Sequence, residues 1–237
     1  MQNEKRNIIV LCALYFFADI IMVLLQSAML PNEILVSLSN NQISSAISEE
    51  QGISLVTFFF LKQFIYIFIS AWCLITIHQI SLRQFSTVLQ SFASTLKRIW
   101  GALLLSFLIF IPILVGLTEA MIAIQQKVQP SIISLFAIII GIGLYVRLCL
   151  APVHYLLTDA GISASAKITW RAALGRATVL FIFCLLIYVL VPLAESFLIS
   201  LSSNAIMAVI TGIIAALINV FALVVTYRFY TLFIAKA

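Results

Sequence analysis

Two charged residues stand inside long apolar runs of the chain, where a charge is costly and usually has a partner. Asp19 lies about 16 Å along the first run and Lys62 about 14 Å along the second, at a rise of 1.5 Å per residue. Consecutive spans run in opposite directions, so both charges fall near the middle of a hydrocarbon core about 30 Å thick. We predict that they pair across adjacent helices, either as a structural ion pair or as a proton or ligand relay.

A second polar group lies near the ends of later apolar runs and in the connection that follows the fourth run. Its members are Arg147, His154, Asp159, Lys167, Arg171 and Arg228, accompanied by Tyr155, Tyr227 and Tyr230. Arginine offers a bidentate donor fork to a phosphate, so Arg147 and Arg228 could bind a lipid headgroup. The alternative is an anchor, in which these arginines reach the membrane surface and one of them bridges to Asp159.

Little in the sequence points to covalent chemistry. His154 and Asp159 are the local acid–base candidates for a lipid-modifying enzyme, and neither has a recognisable orienting partner. No nucleophile elbow, zinc-protease helix or phosphate-cradling glycine loop occurs. The cysteines stand in apolar runs without a CxxC and indicate small buried hydrophobes: Cys12, Cys73, Cys149 and Cys184. We therefore predict no catalytic site, no metal and no cofactor.

The composition indicates a lipid environment for these residues. Of the 237 residues, 64% are hydrophobic and 9% are charged, against about 25% charged in a soluble domain. Within hydrocarbon, only helices and closed barrels pair every backbone group, and continuous apolar runs of about 20 residues are helices. The net charge of +5 fits an excess of Lys and Arg on cytoplasmic loops. No nucleic-acid-binding pattern accompanies that charge.

The apolar runs predict an all-α polytopic membrane protein with six transmembrane helices, at 8–30, 53–78, 99–124, 131–150, 177–198 and 205–230. Cations concentrate in the terminal segments and in the second and fourth connections: Lys5, Arg6, Arg83, Lys97, Arg98, Lys167, Arg171, Arg176 and Lys236. The opposite side carries Lys127 together with acidic residues, of which the last two are interpreted as solvated caps: Glu33, Glu49, Glu50, Glu119 and Glu195. This asymmetry predicts that both termini lie in the cytoplasm.

The second and fourth connections predict two amphipathic interfacial helices on the cytoplasmic face, at 82–96 and 160–175. In the first, one face carries Leu82, Phe85, Leu89, Phe92 and Leu96. In the second, a stripe is formed by Ile162, Ala166, Trp170, Ala173 and Leu174, with Lys167 and Arg171 on the other side. Gly161 introduces this helix, and Gly175 allows the bend into the fifth span. Both suit the headgroup plane; the alternative for 160–175 is a linker helix that packs on the ends of the bundle.

The segment from Leu150 to Trp170 resembles the signature of the YciC-like inner-membrane proteins of Gram-negative bacteria. The matching residues are Leu150-Ala151-Pro152-Val153, Asp159, Gly161-Ile162, Ser165 and Ile168-Thr169-Trp170, followed near the end by Tyr227-Arg228-Phe229-Tyr230-Thr231-Leu232. The resemblance extends over about 140–237, with Ala172 where that family usually has Asn and His154 where an apolar residue is typical. It implies a six-span inner-membrane protein with a loose role in envelope maintenance, and it implies no specific activity.

These observations predict envelope or membrane-lipid homeostasis through contacts at the inner leaflet, without covalent chemistry. The expected partners are the phospholipid bilayer, including anionic headgroups, or another membrane protein; nucleic acid is not expected. One alternative is a small transporter or transporter subunit with a midplane path at Asp19 and Lys62. The other is a membrane lipid-modifying enzyme.

Overall fold

The structure, a computed structural model, describes residues 2–29, 49–82, 88–201 and 205–235. Every regular element within these residues is a helix, which confirms the all-α prediction for them. The helices are α1 (Gln2–Met29), α2 (Glu49–Ser81), α3 (Val88–Gln125), α4 (Ile132–Leu148), α5 (Ala151–Leu157), α6 (Ile162–Ala172), α7 (Ala177–Leu185), α8 (Val191–Ser200) and α9 (Ala205–Ala235), with a π-helical turn at Leu186–Leu190.

Five stretches of the described helices are long and apolar enough to cross a membrane: Phe60–Ser81, Gln90–Ile124, Ile132–Leu157, Ala177–Leu198 and Val209–Ile234. They overlap the predicted spans 53–78, 99–124, 131–150, 177–198 and 205–230. The remaining predicted span, 8–30, lies mostly on α1, whose apolar part among the described residues is the shorter segment Ile9–Met22. The chain therefore has the helices of a multi-pass membrane protein.

Residues 88–96, which the sequence predicts as part of a separate surface helix, are continuous with the following span. Residues 88–96 are the first turns of α3, Leu82 lies in a turn, and 83–87 lie outside the described residues. No glycine or proline interrupts the chain between Val88 and Trp100, so nothing local separates a surface helix from the following span. At 38 residues, α3 is roughly 57 Å long and exceeds the hydrocarbon thickness of about 30 Å.

Helix α6 lies within the range 160–175 that the sequence predicts as a surface helix. Gly161 is its N-cap, and Gly175 adopts a φ of +75° in the turn that leads to α7, a conformation that side chains other than glycine rarely tolerate. The residues of α6 that are buried are Ser165, Thr169 and Ala172. The buried face of α6 therefore consists of small side chains and lies beside the predicted apolar stripe. Small side chains let α6 pack closely against α3, α4 and α5, which it contacts.

The described chain divides into two compact units. Unit 1 comprises residues 1–70 and 198–220, and unit 2 comprises residues 71–197 and 221–237. In unit 1, Met22 and Phe58 form a small core with Leu25, Ile65 and Tyr66. The main core of unit 2 combines residues of α2, the α4–α5 junction, the end of α6, α7 and α9: Leu74, Val146, Cys149, Leu150, Val153, Ala172, Ala173, Leu180, Phe183, Cys184, Tyr227, Tyr230 and Phe233.

Glycine permits close packing between α3 and α4 in unit 2. A Cβ on Gly141 would lie 2.8 Å from the backbone nitrogen of Ile113, whereas one on Gly143 would have no neighbour within 4 Å. Of the two glycines in this Gly-Ile-Gly segment, the first therefore serves helix packing.

The π-helical turn at Leu186–Leu190 lies just before Pro192. The wider turn accommodates a proline ring that would otherwise clash with the carbonyl four residues earlier.

Candidate functional site: the cationic end of unit 2

Arg98, in the first part of α3, holds the junction between α5 and α6. Its guanidinium donates hydrogen bonds to the carbonyl oxygens of Tyr155 (3.2 Å), Leu156 (3.5 Å) and Thr158. It also forms a salt bridge with Asp159. The last carbonyl groups of a helix have no partner within that helix, so Arg98 satisfies the C-terminal end of α5 and fixes the start of the connection to α6.

An arginine therefore does bridge to Asp159, but it is Arg98 and not Arg147 or Arg228. The side chain of Asp159 is fully exposed and that of Arg98 is 30% exposed, so water screens the charge pair and the carbonyl contacts are the firmer part of the junction. The sequence places Arg98 among the cations of the second connection. Its partner could not be inferred from spacing, because Arg98 and Asp159 are 61 residues apart.

Arg147, at the end of α4, lies against Trp170 of α6. The central carbon of its guanidinium is 4.8 Å from the ring centroid of Trp170, within the range of a cation–π contact. Arg147 thus holds the indole in place. The sequence assigns Trp170 to an apolar stripe and does not indicate its contact with Arg147.

A groove with a volume of about 270 Å³ lies beside this contact. It is lined by Leu148, Ala166, Lys167, Trp170 and Arg171. Lys167 and Arg171 are one helical turn apart and both are exposed, which places two cations at the rim of an otherwise apolar surface. This geometry brings together Lys167 and Arg171 from the predicted set, with Arg147 behind the indole.

The histidines contact tyrosines of α9 instead of joining that cationic group. His154 is buried, and its Nδ1 lies 2.8 Å from the hydroxyl of Tyr230. His78 Nδ1 lies 3.2 Å from the hydroxyl of Tyr227, which in turn donates to Ser81 Oγ at 2.9 Å. Because Tyr227 uses its proton toward Ser81, His78 donates to Tyr227 through Nδ1.

The arrangement of His154 does not supply an acid–base pair with Asp159. His154 faces the core and contacts Tyr230, whereas the carboxylate of Asp159 lies at the surface and contacts Arg98. Both histidines instead tie α9 to its neighbours.

Two further arginines, Arg176 and Arg228, belong to the cationic end of unit 2. Arg176 is the N-cap residue of α7; it donates to the carbonyl of Phe233 at 3.4 Å and lies 5.7 Å from that ring's centroid. Arg228, on α9, is exposed. The predicted contact between Arg228 and the polar residues around Asp159 is therefore absent from the described hydrogen bonds and ion pairs.

The opposite ends of α3 and α4 carry a different polar contact. Ser131 is the N-cap of α4: its Oγ accepts from the backbone N–H of Ser134 at 3.1 Å and donates to Glu119. Glu119, predicted to be a solvated cap, is therefore hydrogen-bonded to the start of the next helix.

In unit 1, Tyr66 contacts both charged residues of the predicted pair, Asp19 and Lys62. Its hydroxyl donates to Asp19, and Lys62 Nζ lies 6.0 Å from its ring centroid. Among the residues that the structure describes, no ion pair of 4 Å or less joins Asp19 to Lys62, and Lys62 is exposed. The predicted direct pair is thus replaced by a contact through Tyr66.

A second hydrogen bond lies one turn further along the same two helices. Tyr15 and Ser70 are joined hydroxyl to hydroxyl at 2.6 Å. Tyr15 precedes Asp19 by four residues, and Lys62, Tyr66 and Ser70 follow one another at the same spacing, so each helix presents a polar stripe. That spacing is present in the sequence and could have identified Tyr66.

Over residues 2–29, 49–82, 88–201 and 205–235, no group of three or more His, Cys, Asp or Glu side chains could hold a metal ion. The chain matches no protein-family model and no solved structure. It is 44% identical over 173 residues to an uncharacterized protein of Haemophilus influenzae, over 73% of this chain and 71% of that relative.

Proposed function

The chain belongs to the same family as the uncharacterized Haemophilus influenzae protein, and we propose that it contacts anionic phospholipid headgroups through the cationic end of unit 2. Under this proposal, the chain is a six-span protein of the bacterial inner membrane, and both of its termini lie in the cytoplasm. Its role is envelope or membrane-lipid homeostasis, in line with the resemblance to YciC-like proteins. Helix α1 supplies the sixth span.

The observation that carries the proposal is the excess of cations at one end of unit 2. The described cations there are Lys97, Arg98, Arg147, Lys167, Arg171, Arg176 and Arg228, against Asp159. Arg98 already compensates the charge of Asp159, so the net charge of this end is strongly positive. A cationic rim at headgroup depth attracts anionic lipid by about 1 kcal/mol for each Lys or Arg.

The exposed apolar surface of unit 2 supports a lipid environment for the helices that carry this rim. On α4, large side chains of the first half of the helix are more than half exposed: Ile132, Ile133, Leu135, Phe136, Ile139 and Ile140. Such a surface would be unfavourable in water and is typical of a helix in contact with acyl chains.

We propose that this contact involves no covalent chemistry by the chain. The acid–base candidates for a lipid-modifying enzyme, His154 and Asp159, contact Tyr230 and Arg98 instead of each other. A membrane-protein partner at the same end is the competing occupant, and a lipid-retention experiment distinguishes the two.

Native mass spectrometry of the gently extracted protein tests the proposal, with equal amounts of phosphatidylglycerol and phosphatidylethanolamine in the micelles. We expect the wild type to retain phosphatidylglycerol in preference. The triple variant Lys167→Ala/Arg171→Ala/Arg228→Ala should lose the preference by about fivefold for each cation, the factor that corresponds to about 1 kcal/mol.

The control is Lys127→Asn, which removes an exposed cation after the opposite end of α3 and keeps a residue type that tolerates the positive φ of 55° there. It should leave the lipid ratio unchanged. Equal retention of both lipids by the wild type would contradict the proposal and favour a protein partner.

The Tyr66 contact favours a second candidate function, a small transporter with a proton path through unit 1. Tyr66 and Asp19, with Tyr15 and Ser70 one turn away, give a continuous polar stripe along apolar helices, and intramembrane ionisable groups commonly mark proton paths. Proteoliposomes that contain a pH-sensitive dye test it under an imposed membrane potential. Proton flux that Asp19→Asn abolishes supports this candidate, whereas flux equal to that of protein-free vesicles excludes it.

A further inference from the structure

We infer that the groove beside Trp170 is a binding site for one anionic glycerophospholipid, with the phosphate between Lys167 and Arg171 and an acyl chain against Leu148 and Ala166. This inference rests on the proposed function and deepens it. The proposed function requires only a cationic rim, whereas the inference assigns one lipid molecule to one groove and a separate role to each residue around it.

The groove and its rim differ in chemistry. The groove surface is apolar, with Leu148, Ala166 and Trp170 along it, and the exposed cations Lys167 and Arg171 stand at its rim. Free phosphate would gain nothing from the apolar groove, and a neutral lipid would gain nothing from the cations. A phospholipid that carries net negative charge complements both, because its phosphate and its acyl chain are joined in one molecule.

The positions of the cations suit a single phosphate. Lys167 and Arg171 are separated by four residues on α6, so their Cβ atoms are about 6 Å apart, and both long side chains can reach one anion. Arginine supplies a planar donor fork and lysine a mobile point charge. The described carboxylate on the same connection, that of Asp159, is bound to Arg98 and does not compete for them.

Arg147 acts in this site as a positioning residue. Its guanidinium lies over the ring of Trp170 at 4.8 Å, and Trp170 forms part of the groove wall. Tryptophan favours the boundary between acyl chains and headgroups. By holding the indole, Arg147 sets the wall against which the lipid glycerol region would lie, and Arg147 itself is not among the groove-lining residues.

The volume of about 270 Å³ accommodates a headgroup region and the first part of one chain, not an entire lipid. The remaining chain would lie outside the groove, among the acyl chains of the surrounding leaflet. The site is therefore a lateral opening that a lipid of the surrounding leaflet can enter without leaving the membrane.

The test uses tryptophan quenching by phospholipids with brominated acyl chains in proteoliposomes of the full chain. One variant keeps Trp170 alone, through Trp72→Phe and Trp100→Phe. The matched variant keeps Trp100, whose side chain is 68% exposed and which reports contact with bulk lipid. Each is measured with brominated phosphatidylglycerol and with brominated phosphatidylethanolamine, diluted into the same unbrominated mixture.

We expect brominated phosphatidylglycerol to quench Trp170 more than brominated phosphatidylethanolamine does, and the margin at Trp170 to exceed the margin at Trp100, which lies beside Lys97 and Arg98. Adding Lys167→Ala and Arg171→Ala should remove the difference at Trp170, since about fivefold in affinity is lost for each cation.

A matched pair of steric variants separates the groove from the charges. Ala166→Leu should also remove the difference at Trp170, although this variant keeps every charge, because the larger side chain fills the apolar wall. Ala164→Leu is the control: it makes the same change on the same helix, and Ala164 is exposed and does not line the groove. It should leave the difference in place; removal of the difference by both variants to the same extent would contradict a role for the groove.

Equal quenching of Trp170 by the two lipids would overturn the inference. If native mass spectrometry still showed a preference for phosphatidylglycerol in that case, the proposed function would survive as a diffuse rim without a defined site. Soluble glycerol phosphate serves as the competing ligand: if it abolished the Trp170 preference at millimolar concentration, the site would be one for free phosphate esters and the inference would be wrong.

Discussion

The two units handle polar side chains in different ways. In unit 1, Asp19 of an apolar helix accepts a hydrogen bond from Tyr66 of α2, and Lys62 lies over the Tyr66 ring. In unit 2, the acidic residue is exposed at a helix junction, and Arg98 divides its donors between that carboxylate and three carbonyl groups. Oppositely charged side chains thus need not pair as the sequence suggests, since backbone carbonyls and tyrosine hydroxyls compete as partners.

The comparison also separates the energetic roles of the two arrangements. A carboxylate that is shielded from water depends on every donor it has, because leaving it unsatisfied costs its desolvation energy. An exposed carboxylate is screened by water and contributes little. We therefore expect Asp19 and Asp159 to respond differently to the loss of their partners, with the effect in unit 2 residing in the carbonyl contacts.

The largest effect is expected for Arg98→Ala. This change leaves the carbonyl groups at the end of α5 without their donor and should destabilise the protein by about 3 kcal/mol, since hydrogen bonds from a charged group are worth about 1.5 to 3 kcal/mol. The measurement is thermal unfolding in detergent: the midpoint is the temperature at which half of the protein has left the monodisperse peak. The control is Lys97→Ala, which removes the adjacent exposed cation and should leave the midpoint unchanged; equal midpoints for the two variants would refute the capping role.

A smaller effect is expected for Tyr66→Phe. The variant keeps the ring beneath Lys62 and removes the hydroxyl that donates a hydrogen bond to Asp19. It should therefore lower the free energy of unfolding by about 2 kcal/mol. A double-mutant cycle with Asp19→Asn should show a coupling energy above about 0.5 kcal/mol. The corresponding cycle for Asp19→Asn with Lys62→Met should show a smaller coupling energy. A larger coupling energy for Asp19 with Lys62 than for Asp19 with Tyr66 would instead support the direct ion pair that the sequence suggests.

A related expectation concerns the cost of replacing each charge in unit 1. Replacing Asp19 and Lys62 together by leucine and methionine should lower the expression level about as much as replacing Asp19 by leucine alone, because Asp19 is bound to Tyr66 and Lys62 is exposed. Quantitative immunoblotting of membranes measures it. Double-variant levels clearly above those of the Asp19→Leu variant would show a direct charge pair, since the single replacement would then leave a bare cation in the apolar region.

The smallest effect is expected for Asp159→Asn. The carboxylate is fully exposed, so its loss should leave the thermal midpoint within error while Arg98 retains its carbonyl contacts. A decrease as large as that of Arg98→Ala would mean that the ion pair, and not the carbonyl contacts, holds the α5–α6 junction.

Much of the architecture could be predicted from the sequence, since apolar length identifies helices and glycine marks their ends. Gly161 and Gly175 bound the segment that contains α6, and Gly141 lies at a helix contact as expected. The extent of α3 was missed because amphipathic periodicity in 82–96 does not by itself end a helix. A breaking residue is required, and none occurs between Val88 and the apolar run.

The partners within the candidate site were harder to predict than its location. The sequence identifies Arg147, Lys167 and Arg171 as cations at one end of the bundle, but not the contact of Arg147 with Trp170. It places Asp159 in an anchor without identifying Arg98. Such choices depend on the rotation of each helix against its neighbours, which the packing of small buried residues determines and which charge spacing does not encode.

The proposed lipid contact depends above all on the side of the membrane on which α6 lies, because anionic lipid of the cytoplasmic leaflet can meet Lys167 and Arg171 only from there. An Ala164→Cys variant places a thiol at an exposed position of α6, and Val128→Cys places one after the opposite end of α3, at a residue that is 61% exposed. A membrane-impermeant maleimide is applied to spheroplasts and to inside-out vesicles, with the wild type as the control for native cysteines. We expect Ala164→Cys to react only in inside-out vesicles and Val128→Cys only in spheroplasts; labelling of Ala164→Cys in intact spheroplasts would contradict a cytoplasmic lipid site on α6.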